Sequence, residues 1–333
     1  MRLISIRTTC SPKEQTHRMK IFDPIRHVLL ACSFALFVFS AAAQTTASEH
    51  LRRGNEHYKN KNYAQAIASF SEAIRLSPRS PEPWFNRGQA RYYSGDVRTS
   101  IGDFQQATTL NPNYVDAWFQ LGLARNKTGD QPGAIAAYTR GLSIASGDSQ
   151  LYYNRGIAYA DSGRDDLALA DYNRALQINT NYTKAFVNRG AVHYRAKRYE
   201  AALADLNRAI ELDPGYAEAW NNRGVLFNTT NRSQLALPDL DQAIKLDPTL
   251  KKPHLDKAIA YNKLGRNTDA IESLNTAIKL DPKYVNAYVF RSAVYFDIKK
   301  FDLSKADAEQ VLRLDPKNKF AANLLTRIAA QPK

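Results

Sequence analysis

The chain has 333 residues, with 46 Lys and Arg against 32 Asp and Glu and a formal net charge of +14 at pH 7. Hydrophobic residues make up 44% of it, which is ordinary for a folded chain and excludes a mostly disordered protein. Its two cysteines, Cys10 and Cys32, lie near the N-terminus, so the rest of the chain cannot hold a disulfide, a Cys-ligated metal or a thiolate nucleophile.

The N-terminal region has the three parts of a secretory signal peptide. Residues 28–40 form an uncharged apolar run, with Lys20 and Arg26 upstream and the alanines 41–43 downstream. The run is shorter than the ~20 residues that a transmembrane helix needs. We therefore predict a signal region over residues 1–43, cleaved after its last alanine, and a periplasmic or secreted mature protein. An uncleaved anchor is the alternative.

Two further features bear on the N-terminus. Met19 is an alternative start of the chain. Leu29-Leu30-Ala31-Cys32 resembles the lipobox of bacterial lipoproteins, although the apolar run continues for eight residues beyond Cys32. We expect a membrane connection only through an uncleaved signal segment or through the less favoured lipidated Cys32.

Loss of the signal region removes six basic and two acidic residues. The remainder has 40 basic and 30 acidic residues, a net charge of +10. For an exported chain, anionic envelope polymers or lipid headgroups are better partners for that charge than nucleic acid, so no nucleic-acid partner is expected.

A 34-residue period governs the rest of the chain. Six prolines and all three tryptophans are spaced by 34 residues or by three times 34. Numbering each unit from its equivalent of Ala47 puts the prolines at position 32 and the tryptophans at position 4. The eight predicted units are 47–80, 81–114, 115–148, 149–182, 183–216, 217–250, 251–284 and 285–318.

Each unit has the pattern of two helices joined by a tight turn. Apolar and small residues recur at positions 4, 8 and 11 and again at 20, 24 and 27, which is helical spacing. Small residues at positions 8 and 20 allow the helices to approach closely. Gly or Asn at position 15 of five units tolerates the left-handed backbone that ends a helix, and Pro at position 32 stops the second helix. One pair cannot bury its apolar face alone, so the units must stack.

The C-terminal residues predict a cap. After Pro316, apolar residues recur every four positions among polar ones, at Phe320, Leu324 and Ile328. We predict a capping helix over residues 319–330 that covers the last apolar face, followed by a tail to residue 333.

The pattern resembles the tetratricopeptide repeat over residues 47–318. In unit two it is carried by Trp84, Gly88, Tyr92, Phe104, Ala107 and Pro112, with Tyr92 one place from the usual position. The resemblance implies an all-α, right-handed superhelical solenoid of about eight helix-turn-helix units with a C-terminal capping helix. It implies that the first helices line a concave groove, and that the protein binds proteins or peptides and is not an enzyme.

Positions 7 and 23 vary together within the chain. Position 7 is basic in seven units and position 23 is Asp in five, and every Asp unit has Arg at position 7, whereas unit three has Leu121 and Ala137. We infer an Arg–Asp pair between the two helices of a unit; a basic ladder facing a ligand is the alternative. The predicted pairs are Arg87–Asp103, Arg155–Asp171, Arg189–Asp205, Arg223–Asp239 and Arg291–Asp307.

A row of carboxamides at position 6 is the candidate binding site. Each offers one acceptor and two donors, so it can pair with a peptide backbone whatever the peptide side chains. Sugar-transferase superhelices of the same repeat family have a similar asparagine ladder. The alternative is a surface carboxamide bonded to the neighbouring unit. The predicted ladder consists of Asn86, Gln120, Asn154, Asn188 and Asn222.

Aromatic residues at positions 5 and 12 lie near this row. They could pack against ligand side chains in the groove, or they could pack between units. The candidate groove aromatics are Phe85, Phe119, Tyr153, Tyr92 and Tyr194.

The catalytic motifs of metalloproteases, serine hydrolases, P-loop enzymes and dinucleotide-binding enzymes are absent from the sequence. We expect no catalytic residue, no metal and no cofactor.

The favoured function is a non-catalytic scaffold or adaptor of the cell envelope that binds extended peptide segments of other proteins in the concave groove. The alternative is a structural or assembly subunit of a pilus, secretion or cell-wall complex, bound through its convex face. A weaker third candidate is a carrier of an anionic polymer. The pattern assigns no oligomeric state.

Overall fold

Helices and short turns account for residues 46–331, the part of the chain that the computed structural model describes. The first helices of the units are α1 (46–59), α3 (Pro81–Tyr93), α5 (Val115–Lys127), α7 (Ser149–Asp161), α9 (Thr183–Arg195), α11 (Ala217–Thr229), α13 (Lys251–Lys263) and α15 (Val285–Asp297). The second helices are α2 (Tyr63–Leu76), α4 (Val97–Leu110), α6 (Gln131–Ile144), α8 (Asp165–Ile178), α10 (Tyr199–Leu212), α12 (Ser233–Leu246), α14 (Asn267–Leu280) and α16 (Phe301–Leu314), and α17 (Lys319–Ala329) follows them. The predicted all-α repeat architecture is confirmed.

The turn between the two helices of a unit has a left-handed residue at position 15 in every unit. Four of these residues are glycines, and Asn231 has a φ of 59°. The other three are Lys61, Lys197 and Lys299, with φ of 59–60°. The left-handed turn therefore forms even where the sequence lacks Gly or Asn, because the packed helices on both sides impose it.

Glycine at position 8 lets the ring of the second helix lie directly on the first helix. A Cβ atom on Gly122 would lie 2.3 Å from Cε1 of Tyr138, which is itself fully buried. Gly88 and Phe104 repeat this contact in unit two, at 2.7 Å. The predicted close approach of the two helices is confirmed.

The first helices form the inner layer of the solenoid. From α3 onward each first helix packs against the next first helix, whereas no second helix packs against another second helix in the described chain. When one layer of a stack is drawn together and the other is spread apart, the stack curves toward the closer layer. The first helices therefore line the concave face.

Tryptophan at position 4 ties a unit to the loop before it. Nε1 of Trp84, Trp118 and Trp220 donates to the carbonyl oxygen of the proline six residues earlier, at 2.9–3.0 Å. The ring thus does more than fill space, because it bonds the start of the first helix to the loop that ends the preceding second helix.

The final helix α17 covers the last unit with a different set of residues from the one predicted. Ala321 and Leu324 are buried and pack against Ala308 and Val311 of α16, and Leu325 and the predicted Ile328 pack against the same cluster. Phe320 is instead 43% exposed, because the helix turns Ala321 toward α16. Phe320 is therefore not part of the capping face.

The predicted Arg–Asp pairs are confirmed in all five units. Each guanidinium lies 2.6–2.8 Å from the carboxylate of its own unit, and the Asp side chains are only 3–9% exposed. The two partners are 16 residues apart and join the first helix to the second. The pairs are Arg87–Asp103, Arg155–Asp171, Arg189–Asp205, Arg223–Asp239 and Arg291–Asp307.

The same arginines also reach the preceding unit, which the sequence did not predict. The third guanidinium nitrogen, Nη1, donates to the side chain at position 25 of the previous second helix, at 2.5–3.1 Å. We call this three-way contact the arginine clamp. The preceding-unit acceptors are Ser71, Thr139, Asn173, Asn207 and Asn275.

Removal of one clamp partner should be costly, while removal of both should not. We expect Asp205→Ala to lower the free energy of unfolding by about 3–5 kcal/mol, since it leaves the Arg189 guanidinium without its buried carboxylate. The double variant Arg189→Leu with Asp205→Ala reproduces the Leu121 and Ala137 of unit three and should recover most of that loss. Urea unfolding measures both, and an unchanged stability of Asp205→Ala would contradict the clamp.

The left-handed lysines predict a second stability change. Lys61→Gly removes the strain of a left-handed lysine, about 1–2 kcal/mol. The greater freedom of glycine in the unfolded chain offsets part of this gain in stability. We expect a gain of about 0.5–1 kcal/mol in the free energy of unfolding, and a comparable loss for the reciprocal Gly129→Lys, whose Cβ would meet no neighbour. A loss for Lys61→Gly would show that the lysine side chain itself stabilises the turn.

Candidate functional site

The position-6 carboxamides lie along the inner layer, one on each of α3, α5, α7, α9 and α11, and all five are half-buried. Two of them bond to the first helix before them. Asn86 donates to Oδ1 of Asn55 at 3.0 Å, and Asn188 donates to the hydroxyl of Tyr153 at 3.1 Å. For these two, the structure shows the neighbour-bonded arrangement that the sequence left open.

The other three carboxamides are not bonded to a neighbouring unit. Asn154 donates to the carbonyl oxygen of Gln150, one turn earlier in its own helix, at 2.8 Å. Oε1 of Gln120 is buried without a hydrogen-bond partner. Within residues 46–331, the side chain of Asn222 forms no hydrogen bond to another protein group. Unused hydrogen-bonding groups are therefore present at Gln120 and Asn222.

The row ends in a buried carboxyl group that the sequence reasoning had not singled out. Asp256 occupies position 6 of unit seven, and burial raises its pKa to about 6, against the opposing effects of a hydrogen bond from Asn221 and of the nearby charge on Lys252. A buried carboxyl with no ion pair in the described chain favours its neutral form. The sequence does mark this residue, because Asp256 occupies the position at which the five preceding units have a carboxamide.

A pocket of about 560 Å³ with a mixed polar and apolar lining lies beside the end of this row. It is bordered by Asn221 and Asn222 of α11, by the start of α13 and by the loop at Asp281. Asn221 is 7% exposed, and its Oδ1 has no hydrogen-bond partner among residues 46–331. The pocket thus lies between units six and seven, next to Asn222.

The candidate aromatic residues divide into two groups. Phe85 is buried, with its ring centre 4.8 Å from that of Tyr114, so it belongs to the core and does not face a ligand. Phe119 packs against Tyr138 of α6 with ring centres 6.2 Å apart, and Tyr153 packs against Tyr182, just before α9, at 4.8 Å. Position 5 therefore serves packing between helices.

The rings at position 12 are half-buried and keep polar contacts. The Nζ atom of Lys127 lies 4.9 Å from the ring centre of Tyr92, and the hydroxyl of Tyr194 shares a hydrogen bond of 2.8 Å with Thr229. Both contacts join successive first helices across the groove. Tyr92 and Tyr194 are thus the two predicted aromatics placed at its surface.

No group of three or more His, Cys, Asp and Glu side chains is arranged to hold a metal ion within residues 46–331. Over the same residues, no helix is both long enough and apolar enough to cross a bilayer.

Comparison with known families matches most of the repeat region. Residues 54–95 and 258–299 match a model described as TPR repeat, and residues 85–149, 149–182, 187–250 and 285–318 match models described as tetratricopeptide repeat. No curated protein matches the chain significantly.

Solved structures share the fold at low sequence identity. A chain of the APC/C hetero-tetramer Cut9-Hcn1 is 17% identical with a TM-score of 0.63, and the match covers 80% of this chain and 52% of that one. A tetratricopeptide repeat protein from Parabacteroides merdae is 18% identical, TM-score 0.56, with 86% and 99% covered. PilF of Pseudomonas aeruginosa is 19% identical, TM-score 0.56, with 64% and 97% covered. These likenesses concern the fold alone.

The buried carboxyl of Asp256 makes stability depend on pH. Its folded pKa of about 6 lies above the unfolded value of about 3.9, so the native state holds the proton that the unfolded state loses, and stability falls as pH rises between these values. Asp256→Asn should therefore raise the free energy of unfolding by about 2–3 kcal/mol near pH 8 and leave it nearly unchanged near pH 3.5. An equal effect at both pH values in urea unfolding would contradict this assignment.

Proposed function

Because the chain belongs to the tetratricopeptide repeat family, we propose that it is a scaffold that binds extended peptide segments of other proteins in the groove lined by its first helices. Proteins of this family are generally non-catalytic adaptors. The observation that carries the proposal is the half-buried carboxamide row, in which the side chains of Gln120 and Asn222 form no hydrogen bond within residues 46–331.

The spacing of the row suits an extended main chain. Packed helices lie about 8–10 Å apart, so successive carboxamides recur at about that interval. A polyproline II segment rises about 3.1 Å per residue and presents the same face every three residues, about 9 Å. One carboxamide would then meet every third residue of such a segment and pair with its backbone.

The groove is preformed, which lowers the cost of binding. The arginine clamps fix α3, α7, α9, α11 and α15 each against two second helices, so most of the row needs no ordering when a peptide arrives. Because a carboxamide pairs with backbone groups, we propose that the groove binds peptides with little preference for their sequence. Contacts of the peptide with Tyr92 and Tyr194 would add to the affinity.

We further propose that the protein works in the cell envelope. This location depends on the signal region predicted at residues 1–43, which lies outside the described residues, as do the alternative start at Met19 and the lipobox-like Cys32.

Site-specific photo-cross-linking identifies the partner and the face that it contacts. A photoreactive amino acid at Gln120 reports on the groove, and one at Gln106, on the second helix α4, reports on the convex face. The proposal predicts cross-links to peptide segments from Gln120 and few from Gln106. Cross-links confined to Gln106 would instead support an assembly subunit bound through its convex face.

A synthetic peptide covering the cross-linked segment then tests the ladder. Gln120→Ala with Asn222→Ala should weaken its binding by about 10-fold or more, since two hydrogen bonds worth about 0.5–1.5 kcal/mol each are lost. Gln106→Ala with Gln242→Ala removes carboxamides from the outer layer and is the matched control. Equal affinity of both double variants, each with wild-type helicity by circular dichroism, would exclude the ladder as the binding site.

A further inference from the structure

The residues that start the second helices differ between the two halves of the chain. In units two and three, Asp96 and Asp130 accept the backbone N–H of Thr99 and Gly133, at 3.4 Å and 2.9 Å, and so cap α4 and α6. In units four to eight the equivalent residue is basic, and its side chain forms no cap. These residues are Arg164, Arg198, Arg232, Arg266 and Lys300.

A cation at this place opposes local helix stability. The first N–H groups of a helix lack partners, and the positive end of the helix dipole lies there, so Asp, Asn, Ser or Thr is preferred. The C-terminal end of the preceding first helix also lies nearby, and its dipole favours a cation. That helix end is equally near Asp96 and Asp130, however, and these two residues form caps. The residue five places earlier, in the first helix, accounts for the difference: Asp130 pairs with Arg125 at 3.7 Å, whereas Arg164 lies over the ring of Tyr159. The ring gives the cation a packing contact and leaves its charge exposed to solvent.

The five cations are exposed and mostly free of carboxylates. Four of them form no ion pair within residues 46–331, and only Arg266 is paired, with Asp269 at 2.6 Å. The guanidinium of Arg232 lies 5.0 Å from the ring centre of Phe227, and that of Arg164 lies 5.4 Å from that of Tyr159, so the rings help to hold the charges in place.

Other charges share this side of the solenoid, which we call the turn edge and define as positions 13–19 of units four to eight. In unit four, Asp161, Asp165 and Asp166 outnumber Arg164. In units five to eight, eight basic residues stand against four acidic ones, so the positive excess is in these units. The basic residues are Arg195, Lys197, Arg198, Arg232, Lys263, Arg266, Lys299 and Lys300, and the acidic ones are Glu200, Asp269, Asp297 and Asp302.

Exposed leucines accompany the cations. Leu167, Leu235 and Leu303, each three residues after a position-16 cation, are 46%, 51% and 47% exposed, and Leu264 in the turn of unit seven is 38% exposed. A surface with basic residues and exposed aliphatic side chains suits the boundary between lipid headgroups and acyl chains. A soluble polyanion would need the cations alone. The net positive charge of the chain disfavours a second copy as the partner.

We infer that the turn edge docks on the surface of an anionic lipid bilayer, with the position-16 cations on headgroup phosphates and the leucines at the acyl boundary. This contact is independent of the N-terminal segment and of the peptide groove. It places the bilayer against the ends of the helices and leaves the inner layer open.

Co-sedimentation of the full chain with lipid vesicles tests the inference. The probes are phosphatidylcholine vesicles with and without about a quarter phosphatidylglycerol. Each basic residue near an anionic surface contributes about fivefold in binding, so Arg198→Asp, Arg232→Asp and Lys300→Asp together should weaken binding to the anionic vesicles about 100-fold. The same variant should melt at an equal or higher temperature, because each Asp can cap its helix as Asp130 does.

Matched variants separate the turn edge from net charge and from a polymer site. Arg140→Glu, Arg174→Glu and Arg208→Glu make the same charge change on the second helices and should lose far less binding. Leu167→Asn, Leu235→Asn and Leu303→Asn should weaken vesicle binding at least 10-fold while leaving binding to soluble heparin unchanged. Equal losses for the two charge variants, or heparin binding without vesicle binding, would overturn the inference.

Discussion

The arginine clamp is the contact on which the rest of the structure depends. A planar guanidinium has five N–H donors in a fixed fork, so its Nε and Nη2 edge can donate to the Asp of its own unit while Nη1 donates to the second helix before it. Arg223 shows the arrangement, with Asp239 at 2.7 Å and Asn207 at 2.7 Å. Lys257 has a single ammonium, and position 23 of its own unit is Ser273, which offers no carboxylate. Within residues 46–331 its one ion pair is with Asp241 of the preceding unit. The clamp therefore joins both helices of a unit to the second helix before them, and this helps to hold the first helices in the stack that lines the groove.

The sequence predicted those features that repeat with the same residue type. Helices, turns and the Arg–Asp pairs follow from a strict period and from two positions that vary together. The second half of the clamp was missed because position 25 varies among residues such as Ser71, Thr139 and Asn173, which share only a polar oxygen. The left-handed lysines were missed because they result from tertiary packing, which overrides the local preference of the residue.

The candidate site was predicted less completely, for a related reason. Whether a position-6 carboxamide is free depends on what the preceding unit places beside it, such as Asn55 for Asn86 or Tyr153 for Asn188. Those neighbours lie on another helix, and no period within the chain links them. The burial of Asp256 is of the same kind, since its pKa depends on how closely units six and seven pack. The two proposed surfaces use different parts of each unit, the inner helix faces and the turns, so one can be occupied without blocking the other.

Native-state hydrogen exchange of the wild-type chain in increasing urea tests most directly whether the clamp couples the units. Leu121 and Ala137 leave the boundary between units two and three without a clamp, while every later boundary has an Arg or Lys contact to the preceding second helix. The account predicts that α1–α4 open at lower urea than α7–α12, with the break in protection falling at this boundary. Protection that decreases smoothly from the centre to both ends, with no break between α4 and α5, would contradict it.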